Sequence, residues 1–261
     1  MELTHSWERV FGADLTTRYE FAEVRNAAAT LQGTNPEAFA HVVDVLTGFK
    51  LSLANLTDAG GSKSDIARDL DAAFRERGWR EAGHKSVTRF TFTRQPYRPA
   101  GETKPVVEEV LFGSEGHKVD NVLGRVALDV EWNAKDGNLD RDMANFRALH
   151  EAAIIDVGVI ITRHQERTKY AANRLAELSQ RIRKDPKGQR IILLGTSTTT
   201  NLEKLLPRLE RGDGGGCPVL VIAITELCYQ PSFEEPELPP YGGPIEIQGA
   251  PQEPEAPETQ A

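Results

Sequence analysis

The chain has 261 residues, 39% hydrophobic and 27% charged, which is enough for one sizeable α/β domain with its own core. No apolar run approaches the roughly 18 residues of a membrane span, and the start, MELTHSWERV, lacks a basic stretch leading into an apolar one, as a secretory signal would need. The net charge of −8 looks unfavourable for a nucleic-acid partner, but seven Glu (Glu234, Glu235, Glu237, Glu246, Glu253, Glu255, Glu258) and no Lys or Arg fall between Pro231 and Ala261; residues 1–230 carry only −1, which neither demands nor excludes a DNA cleft with its own local field.

Residues 15–32, LTTRYEFAEVRNAAATLQ, have helical composition, with Leu15, Tyr19, Ala22, Asn26 and Ala29 along one side. Asn35 followed by Pro36 predicts the cap and first residue of a second helix that runs to about Gly48. GGSKSDIARDLDAAFRERGW (60–79) predicts a third, capped near Ser62 or Ser64 and ended by Gly78. SVTRFTFTRQ (86–95) alternates as a strand does. Strands near 106–112 and 124–132, a helix over 139–153, a strand over 156–163 and an amphipathic helix over 166–184 follow. A strand RIILLG (190–195), a helix from Asn201 to about Arg211 and a strand PVLVIAIT (218–225) complete the fold.

Strands alternating with helices in the second half predict an α/β (α+β) fold, a central mixed β-sheet flanked by helices. Residues 1–85 read as an N-terminal helical subdomain packed on a sheet core over 86–230, the two forming a single domain. From Pro231 onward, eight of the fifteen prolines and few apolar residues predict a disordered acidic tail, 231–261. Cys217 and Cys228 have no His or Cys partners at zinc spacing; a disulfide between them stays open, beside a pair of reduced buried thiols in a cytoplasmic protein.

The chemistry concentrates in KVDNVLGRVALDVEWNAKD (118–136). On a strand, Val126, Leu128, Val130 and Trp132 share one face and Ala127, Asp129, Glu131 and Asn133 the other, with the two acids' Cβ atoms about 7 Å apart. Asp120 sits nine residues before Asp129, and the turn between can bring it alongside on a neighbouring strand. Carboxylates this close repel unless a cation joins them, and oxygen ligands favour Mg²⁺ or Mn²⁺. Such an ion, bound also to a phosphate, suits phosphodiester hydrolysis. The alternative is a solvated face of an antiparallel strand.

Other stretches carry less. GGSKS (60–64) does not satisfy a phosphate-loop pattern; it reads as a helix-capping turn, or as a DNA-backbone contact through Ser62 or Lys63. DGNLDRD (136–142) has Arg141 where a calcium loop needs Gly. GTSTTTNLEK (195–204) opens a helix at Asn201 and reads as a capped loop, or as one that puts Ser197, Thr198 and Thr199 into a DNA groove. No metal-ligand spacing connects His117 and His150, which read as structural.

Asp120-x8-Asp129-Val130-Glu131, with Trp132-Asn133-Ala134-Lys135-Asp136 after it, resembles the active-site strand of type II restriction endonucleases of the BglII/BstYI group. FRALHEAAIIDVGVIITR (146–163) and residues 193–224 resemble the same group, and the likeness covers roughly residues 15–228. It implies the PD-(D/E)xK nuclease fold, restriction-endonuclease-like. Val119 stands where that pattern has Pro, Asp129 where Glu is commoner, and Glu131 where Lys is usual and this group carries Gln.

The resemblance implies that Asp120, Asp129 and the Val130 carbonyl hold Mg²⁺ and that Glu131 positions or deprotonates the attacking water. It places Asn133 and Lys135 where relatives reach into DNA, Lys toward a phosphate or guanine and Asn toward adenine. It further implies a homodimer acting on double-stranded DNA at a palindrome containing GATC. A repair or recombination nuclease of the same fold, or a non-catalytic DNA-binding protein, are the alternatives; the three acids count against the last.

Overall fold

A computed structural model describes residues 1–58, 65–196 and 198–242. Four short N-terminal elements come first: α1 (Trp7–Val10), α2 (Ala13–Arg18), strand β1 (Tyr19–Val24) and α3 (Ala27–Thr34). Then follow α4 (Pro36–Gly48), α5 (Leu53–Thr57), α6 (Asp65–Glu76), β2 (Arg80–Arg94), β3 (Val106–Leu123), β4 (Val126–Val130) and α7 (Gly137–Glu151). The chain closes with β5 (Val157–Arg163), α8 (Gln165–Leu178), α9 (Leu202–Arg211) and β6 (Val219–Ile224).

The strands form one mixed six-stranded sheet in the order β1-β6-β5-β4-β3-β2. Its centre, β4-β5-β6, is parallel, and β1, β3 and β2 pair antiparallel outside it. All residues of β4, β5 and β6 are buried, as a parallel sheet covered on both faces requires. Val126, Leu128, Val130 and Trp132 belong to the apolar cluster shared with α3, α4, α6 and α8. Ala127 belongs to the opposite cluster, filled by Leu139, Met143 and Phe146 of α7 and Leu205 and Leu209 of α9. The sheet is thus flanked by helices on both sides, as the alternation in the sequence predicts.

Two segments differ from expectation. The helix predicted over 15–32 is broken by β1, which pairs with β6 from Tyr19↔Ile224 to Val24↔Val219. Edge pairing overrides a helical composition here. Glu23, fully buried at the end of β1, accepts the backbone N–H groups of Ser6 and Ala28. The strand predicted at 190–195 is a turn-rich connection; Asn173 of α8 holds it by accepting from Leu193 N at 3.0 Å and donating to Leu193 O at 2.9 Å, while Leu193 enters the core. The predicted caps Ser62 and Ser64 lie outside the described residues.

The predicted disorder from Pro231 does not hold over 231–242. Tyr170 of α8 donates to Pro239 O at 3.0 Å, Tyr229 donates to Pro236 O at 3.0 Å, and Leu238 packs on the core. Proline carbonyls without a ladder are satisfied here by tyrosine hydroxyls. Residues 243–261 lie outside the described residues. Cys217 and Cys228 are free and buried. Among the described residues no helix is long and apolar enough to cross a membrane.

Gly158 of β5 exists to admit the Phe146 ring of α7. A Cβ there would lie 2.3 Å from Phe146 Cδ2, and Phe146 is fully buried. Gly158→Ala is expected to cost about 1–3 kcal/mol by overpacking, lowering the melting temperature by roughly 2–4 °C per kcal/mol in a chain of this size. An unchanged melt would show that the ring yields freely.

Candidate active site

The site starts from a hairpin. β3 and β4 pair as Asn121↔Leu128, Val122↔Ala127 and Leu123↔Val126, leaving Gly124 and Arg125 as a two-residue turn. Gly124 has φ 55°, a conformation glycine adopts without strain and the first position of a tight hairpin turn calls for. Arg125 pins the turn, donating to Asp156 Oδ1 at 2.9 and 2.7 Å and to Ala153 O at 2.7 Å. Continued one residue, this register sets Asp120 opposite Asp129, and Asp120 N donates to Asp129 Oδ1 at 2.8 Å.

Just beyond β4, Glu131 N donates to Ile161 O at 2.8 Å. The Glu131 carbonyl accepts from the buried hydroxyls of Thr162 at 2.8 Å and Thr200 at 3.1 Å. The backbone of Glu131 is therefore fixed on two sides, at the carboxyl ends of parallel strands where ligands commonly bind in open α/β sheets. Asp129 and Glu131 point to the α7 side, as the strand alternation predicts. They are not solvated there: Asp129 is 3% and Glu131 6% exposed, so the reading of these acids as an exposed strand face does not hold.

α7 supplies what the sequence reading missed. Asn138, Asp142 and Asn145 recur at helical spacing along its buried side. Asn138 donates to Glu131 Oε1 at 3.5 Å, and Asn145 accepts from His117 N at 3.1 Å. Asp142, 2% exposed, is hydrogen-bonded to Glu131. No donor group reaches Asp129 Oδ2, Glu131 Oε2 or Asp142 Oδ2. An acid on an amphipathic helix gives no sign of burial in the sequence.

The electrostatics follow from that crowding. Burial, with the charges of Asp142 and Asp120, raises Asp129 well above the carboxylate range against the Asp120 N–H and Arg141. Burial pushes Glu131 up to about 7, with hydrogen bonds from Asp142 and Asn138 opposing. Burial and the Glu131 charge push Asp142 up to about 8, with Arg141 opposing. Both carboxyls are thus raised by burial, and the charge of Glu131 adds to the rise at Asp142.

Raised carboxyl pKa values mean stability that is complete at low pH and is lost as pH rises through about 7 and then 8. With a chelator present, the melting temperature is expected to fall between about pH 5 and 8.5 more steeply in the wild type than in Asp142→Asn. His164, raised to about 9 by Glu20 and Glu203, loses its contribution toward the top of that range in both proteins and cancels. Parallel curves would show that Asp142 does not carry the pH dependence.

Asp120, Val130, Glu131, Asn138 and Arg141 line a cleft of about 460 Å³ whose far wall is α5, the start of α6 and residues 191–194. At its rim, residues 134–136 pair with 198–200: Thr200 N donates to Ala134 O at 2.9 Å and Asp136 N to Thr198 O at 3.0 Å, with a Lys135↔Thr199 bridge. Asn133 and Lys135 are exposed there, and Asn133 has φ 56°. Thr198 is exposed, whereas the Thr199 hydroxyl accepts from the buried Arg163 at 2.9 Å. Asn201 caps α9 by accepting from Lys204 N at 2.9 Å. The structure thus gathers Asp120, Asp129 and Glu131 in one place and Asn133, Lys135, Thr198 and Thr199 beside it. Ser62, Lys63 and Ser197 lie outside the described residues.

Among the described residues no three His, Cys, Asp or Glu side chains converge as a ready-made metal cage. A hard divalent cation of Mg²⁺ type needs less: one or two carboxylates, waters and a phosphate. Asp129 with its undonated Oδ2 beside Asp120 fits that demand, in an oxygen-only set. Carboxylates that repel until a cation joins them are suited to metal-assisted phosphoryl hydrolysis. The chain matches the model of the restriction endonuclease BglII/BglIII family over residues 19–224 and belongs to that family. It is accordingly a type II site-specific deoxyribonuclease, a hydrolase that binds duplex DNA, in a family that generally uses a divalent metal. No curated protein matches the chain.

Proposed function

We propose that the enzyme is a Mg²⁺-dependent homodimer of the cytoplasm that cuts a palindrome built on GATC, with Asp120, Asp129 and Glu131 as its catalytic residues. The observation that carries this reading is the Asp120 N–H to Asp129 Oδ1 bond, which locks the two candidate ligands together next to Glu131 at the cleft. Asp120, Asp129 and the Val130 carbonyl would hold the ion, which would supply charge neutralisation at the scissile phosphate. Glu131, poised near 7, accepts a proton from or orients the attacking water. Asn133 and Lys135, with Ser62, Lys63, Ser197, Thr198 and Thr199, are the proposed DNA contacts. GATC is supported by the likeness to the BglII/BstYI group alone.

Digestion of plasmid DNA with and without Mg²⁺, followed by sequencing of the ends, tests this. Discrete fragments with GATC at each cut are expected only with the metal. Another core sequence would refute the site, structure-dependent nicking would indicate a repair nuclease, and intact plasmid would indicate a binder.

A further inference from the structure

β2 and β3 run far past the sheet as a two-stranded ribbon. At its base Val119 is buried opposite Ala82, and the pairing then shifts register between Arg80 and Ala82 and between Gly83 and Lys85. Such irregularities bend and twist a strand pair. From Ser86↔Ser114 to Arg94↔Val106 the ribbon is regular, a reach of roughly 30 Å at about 3.4 Å per residue. Every residue of it is exposed.

Its surface is apolar on both sides. Paired residues share a side, so Phe90, Phe92, Val106, Val110 and Phe112 lie on one, exposed by 62, 57, 52, 58 and 55%. Val87, Val107 and Leu111 lie on the other, at 77, 54 and 60%. An isolated two-stranded ribbon is marginal in water without a third layer against an apolar face. An uncovered one is also an aggregation hazard. The fold therefore calls for a stoichiometric cover.

The charges do not suit a phosphate backbone. Residues 85–115 hold five Lys or Arg against four Glu. Lys85 is already paired with Glu115 at 2.7 Å and Arg94 with Glu108 at 2.9 Å. Taking about 150–250 Å² for a whole aromatic side chain and less for Val and Leu, the Phe side offers on the order of 500 Å² and the other on the order of 300 Å², so an arm gripped on both sides brings about what each partner brings to a stable interface. Patches above a few hundred Å² mark interaction sites.

From this area, this charge balance and the ribbon's own need for a cover, we infer that residues 86–114 form an arm that embraces a second copy of this chain, with the Phe90–Phe92–Val110–Phe112 side as the main seam. The inference rests on the homodimer reading above and says where that dimer is held. It also separates assembly from chemistry, because the arm contains none of the residues of the cleft.

The test is sedimentation of the full-length protein at micromolar concentration, without DNA or metal. Wild type is expected to run as a dimer. A variant with Phe90→Thr, Val110→Thr and Phe112→Thr keeps β-forming residues on the strands and should run as a monomer, its dissociation constant raised at least a hundredfold. A second variant, with residues 86–114 replaced by Asn-Gly, should also be monomeric, and circular dichroism on both checks that the core is folded. A wild-type monomer that dimerises only on cognate DNA would overturn the arm and leave a homodimer. A monomer under all conditions would overturn both. Folded variants that stay dimeric would overturn the arm alone. So would variants that stay dimeric but bind DNA more weakly, since the ribbon would then be a DNA contact.

Discussion

Asp129→Asn is expected to abolish cleavage while leaving the fold intact or more stable. Asn keeps the Oδ1 that accepts the Asp120 N–H at 2.8 Å. What it removes is a negative charge that burial already opposes and that Asp142 and Asp120 repel. The melting temperature of the metal-free protein should therefore hold or rise. Activity has no such compensation, because an amide is a poor ligand for a hard cation beside a phosphate. Losing a metal ligand forfeits several kcal/mol of transition-state stabilisation, and each 1.36 kcal/mol is about tenfold in rate, so a loss of roughly 10³-fold or more is expected. Specific DNA binding should persist. Single-turnover plasmid cleavage and a thermal melt on one preparation check both halves; a wild-type rate would remove Asp129 from the chemistry.

Glu131 separates two roles. In the wild type, Glu131 and Asp142 are neighbouring carboxyls that burial raises together. Glu131→Gln puts an N–H there that can donate to an ionised Asp142, while the remaining oxygen still accepts from Asn138 and from water. Gln should thus keep measurable metal-dependent cutting, with the rate less dependent on pH between about 6 and 8. Glu131→Ala leaves no oxygen and strands Asp142, so its rate should fall by roughly 10²–10⁴-fold, the range for a lost acid–base group. Rates at saturating Mg²⁺ separate chemistry from binding. Equal rates for wild type, Gln and Ala would mean that Glu131 does no more than fill space.

The hairpin of the candidate site was legible because its determinants are local. A two-residue turn at Gly124 makes positions that sum with Asn121↔Leu128 face each other, and Asp120 with Asp129 is the next such pair. The helix starting at Asn35-Pro36 was legible for the same reason, its cap and first turn being written in adjacent residues. β1 was not, because Tyr19–Val24 becomes a strand only when β6, some two hundred residues away, offers its edge. RIILLG has the apolar run of a buried strand but joins no strand of the sheet; Asn173 of α8 holds it instead, and Leu193 is taken into the core. Asp142 was hidden because burial of one acid on a charged helix is decided by what the helix lies against. The arm was half visible: its alternation predicted strands over 86–95 and 106–112, but not that β3 runs on unbroken into the site or that both sides stay open.

The turn at Gly124 also decides what a chain folded in the wrong register could do. Strand side chains change face at every step, so a hairpin closed one residue out of phase would offer Val119 or Asn121 to the cleft where Asp120 belongs. Such a chain could collapse and even bind DNA, yet it would lack a pair of carboxylates joined across two strands. A chain closed in that register is expected to leave DNA uncut.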